Sequence, residues 1–396
     1  MWNRVIRTLT RLRTVLTSKK IIGIFVIIIF VFFDYCGVLF HLLEVDYDKF
    51  SYPLEIDMEK VLEAHKNGYE PEYAPVNKLN YTYSITNSKK CSQRSYFGYE
   101  NVAILFVIKS ALYNENRRDV IRQSWGMENR FPDVNIKRIF TLGISEESVI
   151  QDKINEENEK HKDLVQAEFV DSYYNNTIKT IMGLKWVVHN CPKAQFIMFA
   201  DDDMYISTRN LLKFIRNPFN EKVNSREKRS ILQTKEKDFA FYKISNITIK
   251  TAWRNRNLTR RNLFEFNAID DRLFAGYVFF SSPKRYKLSK WYVSLKEYPY
   301  SKYPPYVTAG AYVLSYNALV DLYYTSMYTQ NFKFDDVYLG IVAKKCGISP
   351  LHNENFYFWR KPYSKESYSK VIASHGFDDP VELAKIWKEQ KSLGHA

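Results

Sequence analysis

The sequence predicts an α/β body built on a mostly parallel central sheet, preceded by a transmembrane helix and a stem, and three observations predict it. Between residues 101 and 200 short apolar runs alternate with stretches of helical periodicity. Near the N-terminus an unbroken apolar run, Ile21 to Phe33, follows a leader rich in Lys and Arg. The fourth apolar run ends directly in Asp201-Asp202-Asp203, and ligands of open α/β sheets bind beyond the carboxyl ends of the strands.

The chain has 396 residues, of which 45% are hydrophobic and 16% aromatic, with only 13 Gly and 13 Pro. That composition excludes collagen, low-complexity linkers and disordered polymers. The net charge of +14 invites a polyanion, but its distribution points elsewhere. Six basic residues (Arg4, Arg7, Arg11, Arg13, Lys19, Lys20) precede the apolar run, and residues 216–263 carry thirteen basic groups against four acidic ones. The remainder is close to neutral, so a nucleic-acid partner is not expected.

Taken in order, residues 1–20 read as a cytosolic tail. Residues 21–43 read as a signal anchor long enough for a bilayer of ~30 Å. Acids Glu44, Asp46 and Asp48 follow it, so the basic leader orients the N-terminus to the cytosol and the remaining chain to the lumen. Asp34 lies within the run, past its middle. Residues 44–98, mixing Tyr, Pro, Asn and charges without periodicity, read as a luminal stem. Residues 99–396 read as the catalytic domain, with the basic stretch 216–263 as an inserted surface arm. Glycosylation sequons stand at Asn80, Asn175, Asn246 and Asn257. Among Cys91, Cys191 and Cys346 one pair can form in an oxidising lumen.

Within the domain, strands are expected at Val102 to Ile108, Lys137 to Leu142, Ala167 to Val170 and Gln195 to Ala200. Helices are expected at Asn114 to Trp125, Ser145 to His161 and Thr177 to Asn190. No Gly-rich phosphate loop follows any of these strands, so another device must hold an anion. Three adjacent carboxylates after six uncharged residues repel one another unless a cation neutralises them. On extended backbone Asp201 and Asp203 share a side, a set suited to Mn²⁺, or Mg²⁺, with phosphate oxygens.

These residues, together with Arg117-Arg118-Asp119-Val120-Ile121-Arg122-Gln123-Ser124-Trp125, Asp171 to Thr180, Tyr303 to Ser315 and Phe334-Asp335-Asp336-Val337-Tyr338-Leu339-Gly340, form five ordered blocks. They resemble the β-1,3-glycosyltransferases of glycosyltransferase family 31, type II Golgi membrane enzymes. The resemblance implies the nucleotide-sugar-binding fold called GT-A, a UDP-sugar donor, Mn²⁺ and an inverting transfer of galactose or an N-acetylhexosamine to a glycolipid or glycoprotein glycan.

By the same resemblance Asp201 and Asp203 serve the metal and diphosphate, Asp202 supports the ribose or the local structure, and Asp336 is the general base. His375 is expected as a third metal ligand. Arg118 and Arg122, one helical turn apart, are expected to face the diphosphate or a carboxylate, and Lys179 to approach the donor. Trp291, Tyr306, Gly310 and Asp335 are acceptor-site candidates. Asp335 stands where the family usually has Glu. A phosphohydrolase using the same acids would need a second metal set, and the 7 His form no cluster. A non-catalytic carbohydrate-binding ectodomain would need neither the metal acids nor a base.

Overall fold

The computed structural model describes residues 19–51, 56–77, 80–92, 98, 101–218 and 272–396, which fall into two compact units. Most of the basic arm, with sequons Asn246 and Asn257, and most of the cytosolic tail lie outside the described residues. The smaller unit comprises the described residues up to 51 and Phe280–Pro304; the larger holds the rest.

In the smaller unit α1 spans Lys19–Tyr35, 17 residues, and its large apolar side chains from Ile22 to Phe33 are exposed. At 1.5 Å per residue it is about 26 Å long, and among the described residues no helix is long and apolar enough to cross a membrane. The expected helix from 21 to 43 therefore breaks at Tyr35. The reason is local. Gly37 takes φ +80°, and a Cβ there would lie 2.5 Å from the Arg285 backbone, so the chain turns to pack on Arg285. That guanidinium is buried and donates to Glu44 Oε1 at 2.8 Å, Val293 O at 2.9 Å and Tyr298 O at 2.9 Å. Val45 then pairs with Tyr300.

The larger unit opens with α2 (Met58–Lys66) and β1 (Tyr83–Ile85). The anticipated alternation follows as β2 (Ile104–Lys109), α3 (Glu115–Gln123), β3 (Ile136–Ile144), α4 (Ser148–His161), β4 (Leu164–Val170), α5 (Asn176–Asn190) and β5 (Phe196–Asp201). After it come β6 (Tyr205–Ile206), α6 (Thr208–Arg216), β7 (Phe274–Phe279), β8 (Tyr306–Ser315), α7 (Tyr316–Met327), α8 (Asp335–Lys345), β9 (Leu351–His352), β10 (Phe356–Tyr357), β11 (Ala373–Ser374) and α9 (Pro380–Ser392). The start of the expected arm, Arg216, is the last residue of α6.

The main sheet runs β1-β4-β3-β2-β5-β8-β7-β9. The four anticipated strands are mutually parallel, but β1 joins β4, β8 joins β5 and β7 joins β8 antiparallel, so the sheet is mixed. All six residues of β2 are buried, as expected of a central strand covered on both faces. On one face Phe106 meets Trp125 edge-on at 5.4 Å. On the other, Gly183 of α5 sits so close that a Cβ would lie 3.0 Å from the Phe199 ring and 3.3 Å from Val107.

The stem expectation is corrected for residues 56–77 and 80–92, which are structural parts of the larger unit. His65 stacks on Tyr324 at 4.2 Å and Lys66 pairs with Asp321 at 2.6 Å, holding α2 on α7. β1 extends the sheet, Trp186 Nε1 donates to Thr86 O, and Cys91 is disulfide-bonded to Cys191 at the end of α5. The amphipathic pattern of α2, with Met58, Val61 and Leu62 buried, is short enough to be hidden among Tyr and Pro.

Candidate active site

Register builds the site. Lys109 and Asp201, the last residues of β2 and β5, are Cα partners on adjacent parallel strands, so both reach the carboxyl end of the sheet on one face. Lys109 Nζ lies 3.0 Å from Asp201 Oδ1 and donates to Asp335 Oδ2 at 2.7 Å. Thr180 Oγ1 of α5 donates to the same Asp335 oxygen at 3.1 Å. Burial works against the Lys109 ammonium, but the two carboxylates outweigh it and hold its pKa well above the usual lysine value. Lys109 was missed in the sequence; the signal available was a lysine closing an otherwise apolar run.

The three acids divide their work. Asp202 is buried and accepts from Ser110 Oγ at 2.7 Å, Asn114 Nδ2 at 2.9 Å and Arg117 Nη1 at 3.1 Å. With three protein donors it fixes the β2–α3 loop to β5, the local-structure half of its expected role. Asp203 Oδ2 lies 3.1 Å from His375 Nε2, while its buried Oδ1 has no hydrogen-bond partner among the described residues. A short three-stranded sheet, β10-β11-β6, creates that meeting: β11 pairs with β6 just after the triad, and Phe377 N–H donates to Asp203 O at 2.8 Å. The Asp203 hydrogen bond holds the His375 imidazole above its ordinary pKa. Burial raises the Asp201 carboxyl to about 7 in spite of Lys109.

Gly310 of β8 explains itself here. A Cβ on it would stand 3.3 Å from Met204 Sδ and 3.6 Å from His375 Cδ2, so its small size leaves room for the histidine. Tyr306, by contrast, is buried, stacked against Phe279 at 5.8 Å and pressed on Gly340 of α8, which removes it from the acceptor candidates. Asp335 is likewise a buried partner of Lys109 rather than an exposed acceptor contact. Trp291 belongs to the smaller unit and is exposed; it is not among the residues that build this cluster.

At the start of α8 the two acids are driven apart. Burial would raise Asp335, but the Lys109 charge and hydrogen bond hold it below the usual carboxylate value. Burial and the neighbouring Asp335 charge push Asp336 up to about 7, even though Asp336 Oδ1 accepts the Val337 N–H. The helix terminus thus does not keep Asp336 a low-pKa carboxylate; burial and repulsion prevail. The Tyr312 hydroxyl, buried with no hydrogen-bond partner among the described residues, interacts electrostatically with Lys109, Asp335, Asp201 and Asp336.

Of the two partners expected for Arg118 and Arg122, the diphosphate or a carboxylate, the structure supplies the carboxylate. Arg118 and Arg122 face inward, where Arg118 donates to Glu157 at 2.8 Å and 2.6 Å, and Arg122 to Glu157 at 2.6 Å and Asp163 at 2.8 Å. Their forks are filled by protein acids, the carboxylate alternative of the sequence reading. Arg117, about 100° around the helix from Arg118, is the guanidinium that reaches the triad, and it also contacts Asp378 at 2.8 Å. Lys179 Nζ is tied to Asp171 Oδ1 and Ser110 O, both at 2.7 Å.

A cleft of about 320 Å³ opens beside these groups, lined by residues 109–114, Asp171, Ser172, Tyr173, Asn176, Lys179 and the triad. Asn175, next in sequence to the lining residue Asn176, donates to Val170 O, and Thr177 of its sequon is buried and donates to Phe332 O. Asn80 is exposed. Two further aromatics, Phe358 and Trp359, are exposed next to β10 and pack edge-on at 4.6 Å.

The galactosyltransferase family model matches residues 116–257 and 257–354, more than half the chain. The chain is 39% identical over 367 residues to β-1,3-galactosyltransferase brn of Drosophila melanogaster, covering 92% of this chain and 93% of the relative. The chain belongs to the galactosyltransferase family, glycosyltransferase family 31. To human β-1,3-galactosyltransferase 1 this family member is 29% identical over 322 residues, covering 81% of the chain and 82% of the relative. To human β-1,3-galactosyltransferase 2 it is 31% identical over 344 residues, covering 85% and 69%. A solved galactosyltransferase, LgtC, aligns with 71% of this chain and 95% of its own at TM-score 0.33 and 11% identity, too weak a likeness to bear on fold or function. As a member of this family the protein is a glycosyltransferase that uses a UDP-sugar, acts in β-1,3 linkage and takes a glycan acceptor.

Proposed function

We propose that the protein is an inverting β-1,3-galactosyltransferase of the GT-A kind, moving galactose from UDP-galactose to the 3-hydroxyl of a glycan on lipid or protein. The observation that carries the mechanism is the separation of the two α8 acids. Asp335 is neutralised by Lys109, while Asp336 rests near 7, the range in which a carboxylate both accepts a proton and is ionised at working pH. In the transfer the acceptor oxygen bonds to the anomeric carbon as the bond to UDP breaks, the hydroxyl proton passes to Asp336, and UDP leaves with the bonding electrons.

Arg117, through Asp202, and Lys179, through Asp171 and the Ser110 carbonyl, hold the floor of the cleft in which the donor would lie. The exposed rings of Phe358 and Trp359 suit the apolar face of an acceptor sugar. Galactose as the transferred sugar is supported by the names of the relatives above, all β-1,3-galactosyltransferases.

Among the described residues no group of three or more His, Cys, Asp or Glu side chains is gathered for a metal. The fit to Mn²⁺ rests on a narrower observation: a buried carboxylate oxygen of Asp203 without a partner, beside the His375 imidazole. Oxygen and imidazole donors suit that ion, so Asp203 and His375 would hold it, with Asp201, two residues before Asp203, paired to Lys109. When bound, the cation supplies positive charge against the departing diphosphate.

The reading includes Golgi residence and a type II anchor. The basic leader, the apolar run and the acids after it support that orientation, and the Cys91–Cys191 disulfide suits an oxidising lumen. The deciding experiment supplies UDP-galactose, Mn²⁺ and glycan acceptors and maps the product linkage by NMR. A β-1,3-linked galactose is expected; no transfer from UDP-galactose with transfer from UDP-N-acetylglucosamine would reassign the donor.

A further inference from the structure

The smaller unit carries a surface that the transfer reaction does not use. Residues 284–291 pack against the carboxyl-terminal end of α1. Tyr286 meets Tyr35 edge-on at 5.8 Å, Lys287 N–H donates to Tyr35 O at 3.4 Å, and Lys287 Nζ binds Asp34 Oδ2 at 2.6 Å. The same ammonium lies 5.5 Å from the Phe40 ring centroid. In this loop Tyr286, Leu288 and Trp291 are exposed by 42%, 66% and 56%, and in the turn that follows α1 Val38, Leu42 and Leu43 are exposed as well. Lys284, Lys287 and Lys290 alternate with them in sequence.

A water-facing loop has no reason to present Tyr, Leu and Trp together, whereas a bilayer interface does. Trp and Tyr settle at the headgroup level with their rings toward the acyl chains, and Lys reaches outward from the same depth. We propose that residues 284–291 form an interfacial belt, seated in the headgroup layer of the leaflet where α1 ends, with Trp291 dipping toward the acyl chains. The proposal rests on the membrane-anchored reading of α1. It gives Asp34 its partner: an acid that would be unfavourable in the apolar run is paired by Lys287 at the membrane surface. It also assigns Trp291 a lipid contact in place of an acceptor sugar.

The full chain, reconstituted into vesicles of phosphatidylcholine and phosphatidylserine, tests this by tryptophan fluorescence. The phosphatidylcholine is brominated either close to the headgroup end of its chains or close to their tips. The belt predicts that Trp291→Phe removes part of the bromine-sensitive emission, with a larger loss for the shallow label than for the deep one, and that Trp359→Phe does not. Equal quenching of the parent chain and Trp291→Phe at both depths would overturn the belt. An alkaline carbonate wash separates the two readings. A chain retained in the pellet but with unchanged quenching refutes the belt alone, whereas a chain released by carbonate refutes the anchor and the belt together.

Discussion

Asp336 and Lys109 show how differently two residues of one cluster can be read from sequence. Asp336 was legible because it matches a family motif, yet its protonation was not, since that depends on burial and on Asp335 beside it. Because the base must be unprotonated to accept the hydroxyl proton and its pKa is about 7, kcat/KM should climb about tenfold per pH unit below neutrality and level off above it. A profile flat from pH 5 to 8 would remove Asp336 from the role. Lys109 carried no motif in isolation; only the β2–β5 register shows it bridging Asp201 and Asp335. Lys109→Met leaves the buried Asp335 and the half-buried Asp201 without their shared cation. Breaking such a pair typically lowers stability by about 3–5 kcal/mol, which urea unfolding would read, and a loss under about 1 kcal/mol would show the pair to be well solvated. The arginines illustrate the same limit, because sequence spacing set Arg118 and Arg122 on one face correctly but could not say which face.

The four parallel strands and the helices between them, with their regular apolar periodicity, were expected at nearly their observed places. The segments that escaped are α2, β1, β7 and the two-residue strands that deliver His375 to Asp203, together with the helices α6, α7 and α9. The pairing of those strands is set by tertiary contacts, not by local periodicity. One consequence concerns where the catalytic unit begins. A chain started at residue 99 loses α2, β1 and the disulfide that closes a sequence separation of 100 residues, and it should be recovered only as aggregate. A chain started near residue 53 keeps them and should be soluble and folded. Replacing Cys91 and Cys191 together by Ser should lower stability by about 2–5 kcal/mol, measured by denaturant unfolding, whereas Cys346→Ser, at a free buried thiol, should leave the disulfide-dependent part intact.

At the level of the molecule, a basic leader and an apolar helix precede a large mixed sheet whose carboxyl edge gathers acids, a lysine and a histidine from four separate segments. The alternation and the acidic triad could be read from pattern, and Asp335 and His375 from the family resemblance; the approach of Lys109 to Asp335 could not, since the two lie 226 residues apart. If the type II arrangement is right, Asn80 should carry a glycan removable by endoglycosidase, and sealed microsomes should shield all but the N-terminal tail from added protease. The central claim is that this cluster performs β-1,3 galactosyl transfer with Asp336 as base. It is tested most directly by comparing the parent chain with Asp336→Asn for transfer from UDP-galactose, alongside UDP binding by calorimetry. The parent chain should give a β-1,3-linked product, and the variant a kcat lower by ~10² to 10⁴ with UDP affinity nearly unchanged. A variant that kept most of the parent turnover would contradict the claim.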